Sequence, residues 1–138
     1  MSINILRVAT ACLLDEVGRL LIVRKRGTRF YMLPGGKIEQ GEGSLDALRR
    51  ELHEELGLDI GASALQPLGH FRSRAANEPD HWVEADVFIG NLKGPAKAQA
   101  EIETVAWLKL HAQLEGDLAP LLREQVIPAL LQRLNREQ

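Results

Sequence analysis

The sequence predicts an α/β fold, a mixed β-sheet between helical layers, and three observations carry that expectation. Short apolar runs bounded by turn residues recur along the chain, leucines fall at helical spacing between 44 and 56, and a second helical spacing runs from Leu118 to Leu134. Strands accompanied by two helices bury most apolar surface when the helices cover a sheet. At 138 residues, with 45% hydrophobic and 26% charged content, the chain is expected to be a single domain over 1–138 with a core of its own.

The elements follow in order. Arg7 to Leu14 is small and apolar, Leu20 to Val23 is a continuous apolar run, and Asp15-Glu16-Val17-Gly18-Arg19 between them has turn character, so the pair reads as a hairpin. A loop from Arg26 to Tyr31 leads into Leu33-Pro34-Gly35-Gly36. That segment is a rigid turn followed by two residues without Cβ, which lets the backbone come close to a metal or a phosphate. A helix is expected over Ser44 to Leu56, with Ser44 as its N-cap and Gly57 closing it in the left-handed conformation. Strands are expected around Leu65 to Arg72, Trp82 to Ile89 and Thr104 to Leu110, separated by loops at Ser73 to Asp80, which holds Asn77, and at Asn91 to Ala100. In the tail, Pro120 suits a first helical turn and Pro128 should kink or restart the helix.

Composition excludes several classes of function. Lys and Arg total 17 against 19 Asp and Glu, a net charge of −2, so no global basic field recruits a nucleic-acid polymer. Polyanionic substrates would need local cations instead. The single cysteine, Cys12, lies in an apolar run and reads as a small buried hydrophobe, which suits a reducing compartment. The first residues, Met1 to Arg7, lack a signal-peptide arrangement, and no apolar run approaches membrane-spanning length. A cytoplasmic protein without a membrane partner is expected.

The most informative segment is Gly36 to Leu58. A helix turns 100° per residue, so with Glu51 at zero, Glu54 lies near −60° and Glu55 near +40°, about a 100° arc. Leu45, Leu48, Leu52 and Leu56 form the neighbouring stripe, between about 60° and 140°. The helix therefore buries leucines beside three acids that repel each other and serve no packing purpose. A hard divalent cation would resolve the conflict, and Mg²⁺ commonly bridges carboxylates to substrate phosphates. Arg50, about −100° round the wheel, stands one turn before Glu54 and can brace a carboxylate with paired donors. The bland alternative is a solvated acidic face on an ordinary amphipathic helix.

Gly36, Glu42, Arg50, Glu51, Glu54, Glu55 and Gly57, with Leu52 and Leu58 at the apolar positions, match every fixed position of the box G-x5-E-x7-R-E-U-x-E-E-x-G-U. The chain thus resembles the Nudix hydrolases, of the MutT-like kind, over these 23 residues, and its length and element order are similar to one Nudix domain. The resemblance implies an α/β/α sandwich with the box helix on one side of the sheet. It also implies Mg²⁺-dependent hydrolysis of a nucleoside diphosphate linked to another group X, with Mn²⁺ as a possible substitute. By position, Glu51, Glu54 and Glu55 would be metal ligands with the Gly36 carbonyl, Arg50 would orient the glutamates, and Glu42 would support the loop or a second metal. Family members often add a glutamate from outside the box. Glu101, just before the strand containing Trp107, is the candidate, with Glu103 and Glu84 as competitors. The general base could be Glu51, Glu54 or Glu101.

For substrate binding, the candidates are Arg24 and Lys25 at a strand end, the Gly35 backbone and Glu42, with Arg72 and Arg74 weaker. Phe30 and Tyr31 could stack on a base or pack on the core. Trp82 and Trp107 read as structural. His53 projects about 200° from Glu51, and His70, His81 and His111 form no ligand spacing.

The leading expectation is a nucleoside triphosphate pyrophosphohydrolase acting on a small nucleotide, and the chain could pair as a homodimer. The alternative with the same chemistry is an ADP-ribose or nucleotide-sugar pyrophosphatase. Those subgroups carry a proline or tyrosine at set distances beyond the box, whereas here Pro67 comes too early and Tyr31 precedes the box. A non-catalytic nucleotide-sensing module would be expected to lose ligand residues, and this box is complete. Removal of a 5′ diphosphate from RNA would need a basic track for the polymer.

Overall fold

The computed structural model describes residues 4–137 apart from 77, 113 and 115. Asn77 of the expected loop and the first three residues of the N-terminal reading lie outside the described residues. One mixed sheet is built from β1 (Asn4–Leu14), β2 (Leu20–Lys25), β3 (Gly35–Lys37), β4 (Gln66–Arg74), β5 (His81–Asn91) and β6 (Ile102–Leu108). The strand order is β4-β5-β1-β2-β6, with β3 added alongside β1. β1 runs parallel to β5 along its whole length, from Asn4 opposite His81 to Leu14 opposite Asn91, and the remaining pairings are antiparallel.

Side-chain alternation divides the core between the two faces, as the period of two requires. Ala9, Ala11 and Leu13 of β1, with Leu21 and Val23 of β2, meet Ala47, Leu48, Leu52 and Leu56 of helix α1 (Ser44–Leu56). Cys12, Leu14, Leu20 and Ile22 point the other way, towards Leu122, Val126, Ile127 and Leu130 of the C-terminal helical segment. The sandwich expected from the sequence is the one observed. Among the described residues no helix is long and apolar enough to cross a membrane.

Several boundaries differ from expectation for identifiable reasons. Helix α1 starts at Ser44, but the N-cap is Gly43 and no side chain caps it, so Ser44 is the first helical residue. Gly57 closes the helix at φ +67°, as expected. The hairpin strands of the β4–β5 pair extend to Arg74 and His81, which absorbs residues read as loop, because cross-strand pairing from Arg72 opposite Glu84 to Arg74 opposite Trp82 overrides their weak local preference. The tail winds as a π-helical stretch from Leu121 to Val126 and restarts as α2 (Ile127–Arg136). Pro128 sits in the first turn of α2, where its missing N–H is harmless.

One feature of the sheet was not visible in the sequence. β1 and β2 touch in the ladder only at Leu14 opposite Leu20 and then diverge. The chain from Tyr31 to Ile38 fills the gap, bonded to β2 through Val23 and Met32 and to β1 through Ala11–Pro34, the β3 ladder and Arg7–Ile38. Gly35 has φ +142°, and a Cβ there would stand 2.1 Å from the Ala9 carbonyl oxygen. Only glycine permits that approach.

Candidate active site

The wedge delivers Gly35 and Gly36 to the N-terminal half of β1, and α1 brings its acids to the same place. At Gly36 a Cβ would lie 2.4 Å from Cδ of Glu51 and 2.7 Å from both its carboxylate oxygens. The bare backbone therefore forms a cradle for the Glu51 carboxylate. Glu55 is 5% exposed, and its Oε1 accepts a hydrogen bond from the Gly35 amide at 3.2 Å. Burial pushes the Glu55 carboxyl up to about 7; the Gly35 amide opposes the shift, repulsion from Glu51 adds to it, and Lys25 and Glu101 act in opposite directions. An acid so placed calls for a cation.

Glu101 joins this group from the far edge of the sheet. The loop before β6 is tied to the end of α1 by Gln99 N–H donating to the Glu55 carbonyl at 2.8 Å, and Ala100 takes φ +52°. The Glu101 carbonyl then accepts from the Arg26 amide at 2.7 Å. Glu101 is exposed, immediately before the strand, as the sequence reading placed it. Its competitors are engaged elsewhere: Glu103 pairs with Arg24 at 2.5 Å, and Glu84 lies 3.8 Å from both Arg7 and Arg72.

Arg50 braces the box, although its main partners differ from the wheel reading. Its Nε and Nη2 donate to the two oxygens of Glu42 at 2.8 and 2.9 Å, and Nη1 donates to Glu51 at 2.9 Å. Glu54, half exposed, is 3.7 Å away. Arg50 holds the Glu42 carboxyl down at about 2, and Glu42 in turn accepts from the Glu39 amide at 3.0 Å. Glu42 thus supports the loop and is turned from the cavity. Among the described residues no three acidic, histidine or cysteine side chains already stand clustered at metal-binding separation, since Glu51 is drawn onto Arg50 and Glu54 turns outward.

A cavity of about 550 Å³ opens beside these groups, with Gly35, Gly36, Glu51, Glu101 and Lys25 on its wall. Lys25 has no ion-pair partner among the described residues. Arg24, expected beside it in binding substrate, points to the opposite strand face. It is held by Glu103, by the Thr28 carbonyl at 2.9 Å and by the Tyr31 ring at 5.9 Å, and so the structure removes it from the cavity. Arg74 lines the cavity, whereas Arg72 stacks on Trp82. Neither Phe30 nor Tyr31 is on the cavity wall: Phe30 lies under Arg29 and Tyr31 packs on the core. Trp107 also packs on the core, while Trp82 is 36% exposed. His53 and His111 are exposed; His70 pairs with Asp86 at 2.7 Å and His81 with the Pro79 carbonyl at 2.7 Å.

Sequence reasoning missed Thr10. It lines the cavity from β1, is 8% exposed, and its Oγ1 is buried without a hydrogen-bond partner among the described residues. A lone hydroxyl within the apolar run from Val8 to Leu14 was the available signal.

The oxygen-only donor set and the open cradle at Gly36 fit a hard divalent cation. A model of the NUDIX domain matches residues 5–130. A putative 8-oxo-dGTP diphosphatase of Bacillus subtilis (strain 168) is 30% identical over 101 residues, 73% of this chain and 62% of that protein. The chain therefore spans less than two thirds of that relative's length. The MutT protein of Methanosarcina mazei Go1 superposes with a TM-score of 0.74 at 22% identity, covering 99% of this chain and 97% of the other. A putative nudix hydrolase family member of Chromobacterium violaceum gives 0.65 at 29% identity, over 99% and 80%.

Proposed function

The chain belongs to the Nudix family, and we propose that it is a Mg²⁺-dependent nucleoside triphosphate pyrophosphohydrolase built as a single Nudix domain. The observation that carries this reading is the meeting of Gly36, Glu51 and Glu101 from three separate elements on one cavity, with the unpaired Lys25 beside them. Water attacks one of the two phosphorus atoms of the α–β linkage of the triphosphate, gives up a proton, and the P–O bond bridging those two atoms breaks, so that a nucleoside monophosphate and pyrophosphate leave.

The Gly36 carbonyl, Glu51, Glu54, Glu55 and Glu101 are the groups that would hold Mg²⁺, or Mn²⁺ in its place. Such a cation neutralises phosphate oxygens and lowers the pKa of its water. Lys25 offers an ammonium to the phosphates at the cavity wall. Glu101, exposed on the cavity wall and without an ion-pair partner among the described residues, would take the proton of the attacking water, ahead of Glu51 and Glu54. Arg50 positions Glu51 and fixes the Glu42 loop against it.

The diphosphatase name of the Bacillus relative supports the triphosphate reading over a nucleotide-sugar one. Buried Cys12 fits a reducing compartment, and the cytoplasm is the proposed location. The test is the purified chain with Mg²⁺ against nucleoside triphosphates, dinucleoside polyphosphates and nucleotide sugars. Monophosphate and pyrophosphate from a triphosphate are expected; turnover of nucleotide sugars alone would overturn the substrate assignment.

A further inference from the structure

The cavity wall has two kinds of lining. Charged groups, among them Glu51, Glu101, Lys25 and Arg74, share it with Leu6, Val8 and Val83 of the sheet and with Leu121 and Leu122 of the C-terminal segment. Charged and apolar lining together match a nucleotide, whose phosphates are anionic and whose base is a flat heterocycle. Thr10 lies in the apolar part, on the same face of β1 as Leu6 and Val8. Its hydroxyl is the buried side-chain polar atom that lacks a partner among the described residues, an arrangement that native proteins avoid unless a ligand or water completes it.

Position strengthens the point. Thr10 stands opposite Gly35 in the β1–β3 ladder, one residue from Ala9, which stands opposite Gly36. Thr10 therefore stands beside the Gly35 backbone, on the sheet face that Leu6 and Val8 also present to the cavity. Rotation of χ1 between staggered wells exchanges hydroxyl and methyl without moving the strand.

We propose that the Thr10 hydroxyl is a hydrogen-bonding contact for the nucleoside end of the substrate, engaging a polar group of the base or sugar from the apolar part of the cavity wall. The proposal rests on the nucleotide reading above. A hydroxyl can donate and accept, so it distinguishes ligands that bear a matching polar group at that depth from those that do not.

The test uses Thr10→Val, which keeps the shape and removes the hydroxyl, and Thr10→Ser, which keeps the hydroxyl. Binding of AMP, GMP, CMP and UMP to the metal-free protein is measured by calorimetry, beside the thermal midpoint and the steady-state constants for the corresponding triphosphates. For the best-bound monophosphate, Thr10→Val is expected to weaken Kd by roughly 5- to 20-fold, the range one lost polar contact gives. KM should rise in parallel with kcat little changed, Thr10→Ser should restore binding to within about twofold, and the thermal midpoint of Thr10→Val should not fall. A purely structural hydroxyl would move the midpoint and leave Kd alone, and that result overturns the proposal. Absence of monophosphate binding by the unaltered protein also overturns it, even if triphosphates are hydrolysed. Monophosphate binding that depends on Thr10, without hydrolysis of any triphosphate, would instead sink the reaction and leave this contact standing.

Discussion

Two hollows flank the first half of β1, and they treat charge in opposite ways. The smaller, about 350 Å³, lies on the α1 side and is lined by Arg7, Glu42, Glu84, His70 and Asp86. Each of these has a partner: Glu84 lies between Arg7 and Arg72, His70 meets Asp86, and Glu42 is clasped by Arg50. The larger hollow has on its wall Lys25 and Glu101, without ion-pair partners among the described residues, and a threonine hydroxyl that has no hydrogen-bond partner among them; Glu55 lies buried behind it, bonded to the Gly35 amide. Charges that satisfy each other have little left to offer a ligand. Unsatisfied groups gathered in one place are stable only as part of something that will bind there.

If that contrast is functional, the largest effect belongs to Glu55. Glu55→Gln should lower kcat by at least about 100-fold, beyond the loss expected for a supporting residue. The metal-free variant should melt no lower than the parent, because a buried charge has been removed. A simultaneous fall in thermal midpoint and activity would make Glu55 structural. Next comes the pair Glu101 and Glu103, two residues apart on opposite sides of the contrast. Glu101→Gln should cost on the order of 10²-fold in kcat with little change in KM. Glu103→Gln, which only frees Arg24, should stay within about twofold of the parent and lose at most about 1 kcal/mol of stability by denaturant titration. Equal kinetics for the two variants would erase the distinction.

Arg50 links Glu42 of the smaller hollow to Glu51 of the larger and should be intermediate. Arg50→Lys keeps the charge and loses the fork that holds Glu42 and Glu51 together, so a roughly 10-fold loss of kcat/KM is expected. Parental kinetics would reduce Arg50 to a surface residue. The clasp on Glu42 also predicts a pH effect. Its carboxyl titrates at about 2 in the fold against 4.5 as the ordinary value, so its contribution is complete above pH 4.5 and is lost as pH falls towards 2. Acid titration of Glu42→Gln should therefore be shallower over that window than the parent's. The smallest effect is reserved for the satisfied hollow. Glu84→Gln should change stability by about 0.5 kcal/mol or less and leave turnover unchanged; a large loss of activity would show that paired charge can matter here too.

Legibility in the sequence followed how local the determining interaction was. The α1 limits and its left-handed stop at Gly57 rest on neighbours within a few residues, and both could be read directly. So could Arg50 and the box acids, because their spacing on one helix is fixed by backbone geometry. Glu101 was reachable only as one of three candidates, since what separates it from Glu103 and Glu84 is the sheet that pairs those two with Arg24, Arg7 and Arg72. Arg24 failed for the same reason: alternation put Lys25 on the cavity and turned Arg24 to Glu103. Ser44 had the chemistry of a cap, yet the capping position fell one residue earlier, at Gly43, and Ser44 became the first helical residue. Thr10 stood out only as a lone hydroxyl in an apolar run, and such a hydroxyl acquires meaning once the surroundings are known to offer it no partner among the described residues.

The wedge between β1 and β2 carries a consequence for the order in which the molecule assembles. Tyr31, where the wedge begins, donates its amide to the Asp117 carbonyl and accepts from the Ala119 amide. Gly35 and Gly36 are thus stitched, within a few residues, to chain that comes almost ninety positions later. Contacts of such long sequence separation form late in folding, after the loop they close has already lost its freedom. The helix that bears the acids can form early from its own leucines, but the backbone it must face waits for the C-terminal segment to arrive. Competence to handle a nucleotide would then appear as one of the last acts of folding, and a chain interrupted before residue 117 would carry every acid of the box with no site to put them in.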